Sequence, residues 1–576
     1  MTAKIELKDA YKGYTQDQDK LIPPEQTIEL LKEKLKNIDC DILSYTEQID
    51  NGRIGIPVFL SVCGKDAAAI VKTKKQMGKG ATPEQAETSA IMELIERYSL
   101  FYFKNNKSNF IFKKYKDITE PRISFDMIAD SVTDDRADIE ISKEIFENLP
   151  FKWTKAYNIT TDQEILIPFD WFFAINAFNG ASAGNCAEEA LIQGISEIIE
   201  RHTSALVSSN KIKVPAINPD TSTDTKVCEM LAKYKKAGVK LHISDFTLNT
   251  GIPTVGIAAW DPSTFPQKSE IVWTAGTAPS PEKALSRALT EVAQLAGDFN
   301  TGSNYLASGL PKPGDLTEID YIIKAGELKS IKQLPDISDN NMKTEIKNLI
   351  AALSNKGFNP IAVNTTHPLL KVPAFYTIIP GAFFRERATN SDIGMFCAKY
   401  IIENTPPQTA VKILTSIDAR LIGKYYIKFY IGSSYLSLGR HQKACDYFEK
   451  ALTLNPAKQD IASIYSYIGV CLKEMEKYSE ALEMLKKGEA EDNNRTDIYN
   501  LMGACCFKLK KYKTAINYFK KAIETDPSTA INYANIGSCY RELKNTEKAI
   551  KYYHITLEID PSIEFAAENL LKLMKR

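Results

Sequence analysis

Glutamate residues recur at one spacing in three separate segments of this 576-residue chain. The segments read PEQAETSAIMELIERYS from Pro83, AEEALIQGISEIIERHT from Ala187 and PEKALSRALTEVAQLAG from Pro281. In each, a Glu near the start is followed nine residues later by another Glu, and three residues after that by Glu or Gln. Carboxylates brought together in this way repel one another unless cations neutralise them. The repeated spacing therefore predicts a site for bound cations.

Each segment has the periodicity of an amphipathic helix with an acidic face opposite an apolar face. The acidic faces carry Ser89, Glu93 and Glu96 in the first helix, Glu189, Gln193, Glu197 and Glu200 in the second, and Arg287, Glu291 and Gln294 in the third. Pairs such as Glu93 with Arg97 and Glu197 with Arg201 also occur on ordinary solvated helices. The threefold recurrence favours a shared site over three unrelated surfaces.

Turns rich in small residues precede the three helices: GKGAT, which contains Lys79, then SAGNC and TAGTAPS. Backbone amides at a helix N-terminus bind phosphate well, and magnesium prefers oxygen ligands and bridges phosphates. Carboxylates, magnesium and such turns together indicate a nucleoside triphosphate site. The chain has no GxxxxGK[ST] sequence, so this is not a P-loop.

Strand-like apolar runs alternate with these helices over the first 400 residues. We read such runs at 55–63, 67–73, 164–176, 252–261 and 269–277. The pattern predicts an α+β fold, a mixed sheet with helices, over residues 1–404. Residues 405–424 are predicted to be a linker and helix, with TPPQTAVKIL as the linker.

The remaining residues, 425–576, form a repeat array. Gly432, Gly469, Gly503 and Gly537 are spaced by 37, 34 and 34 residues, and alanines follow with the same spacing. A helix–turn–helix period of this length resembles the tetratricopeptide repeat. We therefore predict an all-α tetratricopeptide solenoid of about four repeats with a polar-faced capping helix. Binding of a partner protein and a dimerising role both remain open for it.

Composition excludes several other classes of function. Lys plus Arg equals Asp plus Glu at 72 each, so nothing in the overall charge indicates binding to nucleic acid or membrane. The chain shows no secretory signal and no long apolar run, which predicts a cytoplasmic protein. The ten cysteines form no CxxC pair and the five histidines no HExxH, so zinc is not expected.

GKGATPEQAETSAIMELIERYS, SAGNCAEEALIQGISEIIER and PEKALSRALTEVAQ together resemble the three signature segments of the YcaO family. All three occur in order, and the resemblance covers about residues 1–400. It implies an enzyme that uses ATP and Mg²⁺ to phosphorylate the oxygen of a peptide backbone amide. A nucleophile then attacks the activated carbon: a side chain gives an azoline, sulfide a thioamide and an amine an amidine.

The resemblance also implies roles for individual residues. The implied magnesium ligands are Glu93, Glu96, Glu197, Glu200 and Glu291. The implied nucleotide-binding residues are Lys20, Thr27, Lys79, Ser89, Arg97, Asn185, Glu189, Arg287 and Gln294, and the implied catalytic residues are Glu93, Glu197, Glu200 and Arg201. Lys20 and Thr27 rest on KLIPPEQTIE, which also reads as a plain helix start at Pro24.

The subtype is expected to be non-azoline. Azoline-forming members usually end in a Pro-rich tail, whereas this chain ends in LLKLMKR. The repeats resemble the branch linked to methylthiolation of a ribosomal protein, and PGAFFRER resembles the thioamide-forming group. Expected partners are a peptide or protein substrate and a sulfur-delivery or methylthiotransferase protein, with a homodimer left open. The alternatives are an azoline-forming cyclodehydratase and a non-enzymatic repeat adaptor.

Overall fold

The computed structural model describes residues 5–71, 73–132, 138–300, 310–324, 326–384, 391–526 and 529–574. By its internal contacts the chain divides into two compact units. One unit comprises Met1–Asp134 and Glu147–Ser391, and the other comprises Asp135–Phe146 and Asp392–Arg576. The domain bounds predicted from the sequence, 1–404, 405–424 and 425–576, stay a proposal.

The first unit mixes helices and strands, as the sequence predicts. Its elements up to the second acidic helix are α1 Pro24–Lys36, β1 Leu43–Gln48, β2 Val58–Cys63, α2 Lys65–Val71, β3 Lys75–Lys79, α3 Pro83–Asn105, β4 Ile111–Lys114, α4 Phe125–Asp130, α5 Ile139–Asn148, β5 Pro150–Asn158, β6 Gln163–Pro168, α6 Phe169–Asn176, β7 Ala181–Ala183 and α7 Ala187–Ser209. Residues of α5 up to Phe146 belong to the second unit.

The elements that follow in the first unit are β8 Ala216–Asn218, α8 Thr225–Lys236, β9 Lys240–Asp245, β10 Thr254–Trp260, β11 Val272–Thr277, α9 Pro281–Ala296, α10 Asp320–Ile323, β12 Leu328–Ser330, α11 Met342–Ser354, β13 Ile361–Asn364 and β14 Ala374–Ile378. The strands make three sheets, ordered β1-β2-β3, β11-β10-β9-β8-β12 and β4-β5-β13-β14-β7, with β6 paired to β5. All strand pairs are antiparallel except β8 with β12. Each of the three predicted acidic helices therefore has a sheet to pack against.

The second unit is helical. Besides most of α5, its helices are α12 Ile393–Asn404, α13 Pro407–Asp418, α14 Tyr425–Ser437, α15 His441–Leu452, α16 Lys458–Glu474, α17 Tyr478–Glu491, α18 Thr496–Lys508, α19 Tyr512–Thr525, α20 Ala530–Glu542, α21 Thr546–Ile559 and α22 Glu564–Met574. Among the described residues, the nine helices from α14 onward form the predicted tetratricopeptide array. No helix of the described residues is long and apolar enough to span a membrane.

The repeat glycines mark the closest approach within each helix pair. A Cβ built on Gly432, Gly469, Gly503 or Gly537 would come 2.5–2.9 Å from the side chain sixteen residues later. Only glycine lets the two helices pack at this distance. The capping helix α22 buries Ala566 and Leu570, but Leu571 and Met574 are 58% and 63% exposed. Its outer face is thus not polar throughout, contrary to the expectation.

Three local predictions are wrong. Residues 67–71 of the strand-like run at 67–73 belong to helix α2, because the alanines favour a helix and Ala67 and Val71 are buried one turn apart, while residue 72 lies outside the described residues. The run at 164–176 is a strand only to Pro168, which cannot donate a ladder hydrogen bond, and continues as helix α6. Most of the segment 405–414, predicted as a linker, belongs to helix α13, which buries Ala410 and Leu414.

Candidate functional site

Helix α3 presents its acidic face because its other face packs on a sheet. The Thr82 hydroxyl accepts the amide hydrogen of Gln85 at 3.2 Å and caps the helix, and Pro83 opens its first turn. Gly78 on β3 lies so close to α3 that a Cβ there would come 2.1 Å from the Ala90 nitrogen. The buried apolar residues of α3 include Ala86, Ala90, Ile91, Leu94 and Ile95. Ser89, Glu93, Glu96 and Arg97 are left to line a cavity.

Helices α7 and α9 are fixed by similar contacts. The Cys186 sulfur caps α7 by accepting the amide hydrogen of Glu189 at 3.4 Å. A Cβ on Gly276 of β11 would come 2.5 Å from the Ala284 carbonyl oxygen of α9. The amide of Thr277, on the same strand, donates to Glu200 of α7 at 3.1 Å. Strand β11 thus sets the position of both helices.

The three acidic faces converge on one cavity of about 280 Å³. Six carboxylates line it: Glu93, Glu96, Glu189, Glu197, Glu200 and Glu291. Five cationic side chains line it as well: Lys20, Lys79, Arg97, Arg201 and Arg287. Ser89 and Gln294 complete the sequence-predicted residues on the wall. The threefold spacing therefore corresponds to one site.

Carboxylates and cations in this cavity are paired. Arg97 lies 2.6 Å from Glu96 and 3.4 Å from Glu93. Arg201 lies 3.3 Å from Glu197 in the same helix. The other pairs cross between elements: Arg287 of α9 lies 3.6 Å from Glu200 of α7, and Lys79 of β3 pairs with Glu291 of α9.

Burial perturbs the titration of these groups. It raises the pKa of Glu93 and raises that of Glu96 well above the usual value, although Arg97 opposes both shifts. Burial opposes the charge on Arg97, but Glu96 and Glu93 outweigh it and raise the pKa of the guanidinium. Burial, reinforced by the nearby Arg287, lowers the pKa of Lys79 to about 7. The cavity therefore holds ionisable groups of both signs whose charged forms water no longer stabilises.

Thr27 and Asn185 are the two predicted site residues that are not on the cavity wall. Thr27 is buried in α1, and its hydroxyl donates to the Asn185 side-chain oxygen at 3.3 Å. The Asn185 amide in turn donates to Glu189 at 3.3 Å. Glu189 also accepts the amide hydrogen of Leu21 at 3.0 Å and lies 3.4 Å from Lys20. The KLIPPEQTIE segment is thus both a helix start, at Pro24, and a support for Glu189.

Further wall residues that received no role from the sequence include Gln18, Phe178 and Gln193. Gln193, which the sequence placed on the acidic face of the second helix, lies on the same helical row as Glu189 and Glu197 and accepts a hydrogen bond from Arg287. Phe178 is 44% exposed, and its ring lies 4.2 Å from the Arg97 guanidinium. A single aromatic residue in a loop carries no periodic signal, so no pattern could have indicated Phe178.

The donor set fits magnesium and a polyphosphate. Carboxylate oxygens are the ligands that Mg²⁺ prefers, and lysine and arginine bind phosphate oxygens. The Nε atoms of Arg201 and Arg287 are buried and find no acceptor among the described residues, which a phosphate oxygen would supply. No three carboxylate, histidine or cysteine groups of the described chain are close enough to hold one ion. The carboxylates of the described cavity are instead paired with arginine and lysine.

Comparison with protein families confirms the resemblance seen in the sequence. The family model described as YcaO cyclodehydratase, ATP- and Mg²⁺-binding, matches residues 77–383, which is more than half of the chain. A tetratricopeptide repeat model matches residues 494–562, and a model for subunit 3 of the anaphase-promoting complex, or cyclosome, matches residues 437–522.

Known proteins with similar sequences come from archaea and bacteria. An uncharacterised protein of Methanothermobacter thermautotrophicus is 26% identical over 392 residues, which are 62% of this chain and 94% of the relative. The ribosomal protein S12 methylthiotransferase accessory factor YcaO of Escherichia coli is 25% identical over 244 residues. That match spans 38% of this chain and only 40% of the relative.

Among solved structures, a heterocyclase in complex with substrate and cofactor has the same fold over 66% of this chain and 55% of its own, with a TM-score of 0.53 and 18% identity.

Proposed function

The chain belongs to the YcaO family of ATP- and Mg²⁺-binding proteins, and from this we propose that it activates a backbone amide of a peptide or protein by phosphorylation. The observation that carries the proposal is the convergence of three helices on one cavity lined by six carboxylates and five cations. A cavity of this charge suits a metal-bound triphosphate far better than a neutral ligand.

The proposed roles follow from charge and position. Glu93, Glu96, Glu197, Glu200 and Glu291 would hold magnesium, which lowers the negative charge of the phosphates when bound. Arg97, Arg201 and Arg287 would contact phosphate oxygens, as cations do in phosphoryl transfer. Lys20, Lys79, Ser89, Glu189 and Gln294 would contact the nucleotide from the wall. Thr27 and Asn185 would act through Glu189, which they help to orient.

The proposed reaction balances in two steps. The amide oxygen of the substrate attacks the γ-phosphorus of ATP, and ADP leaves with the bridging oxygen. A nucleophile then attacks the activated amide carbon, and inorganic phosphate departs with the former amide oxygen. The cations paired with Glu93, Glu96, Glu197 and Glu200 would face the charge that develops in the first step, and such fixed charges can stabilise a transition state without reorganisation.

A non-azoline outcome, thioamidation or an accessory role in methylthiolation, is the form we propose. The similarity to the Escherichia coli methylthiotransferase accessory factor supports it. The tetratricopeptide array would recruit the partner protein, such as a sulfur-delivery protein or a methylthiotransferase, in the cytoplasm. Azoline formation is the second candidate, because the family model itself is described as a cyclodehydratase.

Mass spectrometry of cellular proteins with and without this chain tests the outcome. Thioamidation exchanges oxygen for sulfur, and accurate mass separates this gain from oxidation. Azoline formation removes water instead, so a loss of water in the chain's presence would replace our proposal with the second candidate. A purified protein that hydrolyses no ATP, with or without cell extract, would favour a non-enzymatic adaptor.

A further inference from the structure

The third tetratricopeptide repeat, formed by α18 and α19, differs from the others in charge. Between Ile498 and Ile523 it has six lysines and no aspartate or glutamate. Four of these lysines surround the turn between the two helices, and we call them the lysine turn: Lys508, Lys510, Lys511 and Lys513. The chain as a whole has equal numbers of acidic and basic residues, so this turn is a local excess.

The lysine turn is exposed, and backbone hydrogen bonds close it. All four side chains are exposed. Lys510 has a φ of 59°, and its amide donates to the Phe507 carbonyl oxygen at 2.9 Å. The amide of Lys511 donates to the Cys506 carbonyl oxygen, also at 2.9 Å. Backbone hydrogen bonds thus fix the positions in the chain from which the lysine side chains project into solvent.

Nothing in the described part of the repeat neutralises the lysine turn. Its four lysines form no ion pair with a described carboxylate, whereas Lys521 at the other end of α19 lies 2.8 Å from Glu489. Lys513 lies in the first turn of α19, where the helix dipole disfavours a cation, whereas Lys508 lies in the last turn of α18, where the dipole favours one. The described part of the repeat thus supplies no carboxylate partner for the four charges.

The corresponding turns of the neighbouring repeats carry compensating acids. In the second repeat, Lys477 lies 3.7 Å from Glu480, and Glu476 occupies the position that Lys510 has in the third. In the fourth repeat, Arg541 lies 2.8 Å from Glu542. The lysine turn thus lies between two turns that carry carboxylates.

We propose that the lysine turn docks a short acidic segment of a partner protein. A continuous phosphate backbone would extend past the third repeat and meet the carboxylates of the neighbouring turns, since packed helices lie only about 8–10 Å apart. A few acidic side chains on an extended peptide fit between those turns. The turn also has no arginine, the residue best suited to bidentate phosphate binding. A protein segment therefore matches the surface better than a nucleic acid does.

This inference adds a chemical class of partner to the proposed function and does not depend on the ATP site. Fluorescence anisotropy of a labelled octaglutamate peptide with the full chain tests it. The variant K508E/K510E/K511E/K513E is expected to bind the peptide about tenfold or more weakly than the wild type. The control K450E/K458E/K487E/K551E makes the same charge change on exposed lysines of the other repeats and is expected to bind within about threefold of the wild type.

Several results would overturn the proposal. One is that the wild type does not bind octaglutamate, and another is that the control variant loses as much affinity as the lysine-turn variant. A third is that the wild type binds polyuridylate RNA more tightly than octaglutamate. A dimer that sediments for the wild type and dissociates only in the lysine-turn variant would assign the surface to a second copy instead. Circular dichroism establishes that both variants are folded. ATP hydrolysis measured in the same samples separates failure of this proposal from failure of the proposed enzymatic activity.

Discussion

Replacing Glu200 by Gln tests the assignment of the cavity most directly. Gln keeps the size of the side chain and an oxygen that can accept the Thr277 amide hydrogen, so the link between α7 and β11 is expected to survive. The negative charge is lost, and with it the attraction to Arg287 at 3.6 Å. At an effective dielectric constant of about 20, that attraction amounts to about 4–5 kcal/mol before desolvation is subtracted.

We expect the E200Q variant to hydrolyse ATP about 100- to 1,000-fold more slowly than the wild type. Loss of one preorganised electrostatic contact to a transition state has an effect of this size. The assay measures phosphate release by purified protein with Mg²⁺ present, and thermal melting of the same sample shows whether the fold is intact. Because Gln preserves the hydrogen bond, the melting temperature is expected to change by only a few degrees.

Glu188 provides the matched control on the same helix. It is as buried as Glu200, and its carboxylate accepts the Lys8 amide hydrogen at 2.5 Å, but it is not among the residues that line the cavity. The E188Q variant is therefore expected to keep ATP hydrolysis within about threefold of the wild type. If E200Q hydrolyses ATP at the wild-type rate, the site assignment is refuted. An equal loss in E188Q would show that helix α7 is sensitive as a whole, and that the cavity contact is not special.

Three more predictions concern packing, pH and metal. G78A should lower the free energy of unfolding by about 3 kcal/mol or more, because its Cβ would lie 2.1 Å from the Ala90 nitrogen. G326A is the control and should leave the free energy of unfolding unchanged, because nothing lies within 4 Å of a Cβ at that position. Equal urea midpoints for the two variants would contradict this prediction. Burial raises the pKa of Glu345 to about 7. The contribution of Glu345 to the free energy of unfolding is therefore complete below about pH 4 and falls by about 3 kcal/mol as the pH rises through 7. The E345Q variant cannot ionise at this position and should not show this fall. The urea unfolding that tests this is followed by tryptophan fluorescence, which reports the first unit alone. EDTA should abolish ATP hydrolysis and excess Mg²⁺ restore it, and hydrolysis that persists in the chelator would exclude a magnesium requirement.

The three acidic helices could be predicted because the residues that identify each helix lie within its own segment. Each segment has a hydrophobic period of 3.6 residues, and two of the helices begin with a proline and an acidic residue in the first turn. The run at 67–73 was misread because a short apolar run has too few residues to separate a period of two from one of 3.6. Its assignment depends on the buried positions Ala67 and Val71, which only the packed structure defines.

The contacts inside the cavity could not be predicted in the same way. Two of the ion pairs join residues four apart in one helix: Arg97 with Glu93 and Arg201 with Glu197. Such pairs follow directly once the segments are predicted to be helices. Lys79 with Glu291 joins β3 to α9 across more than 200 residues of sequence, and its partner follows only from the sheet order and the packing of α9. Phe178 depends on a loop conformation in which Ala177 has a φ of 51°. Neither the distant pair nor the loop leaves a periodic trace in the sequence.

The two kinds of ion pair have different consequences for how the cavity could work. The intrahelical pairs neutralise charge within α3 and α7, whereas Arg287 with Glu200 and Lys79 with Glu291 hold separate elements together. A nucleoside triphosphate alone would draw the cations away from their carboxylates and leave those carboxylates buried and unpaired, at a high cost. A divalent cation that arrives with the triphosphate would supply a new partner for them. We therefore expect nucleotide and metal to bind together, with ATP affinity falling steeply when Mg²⁺ is withheld.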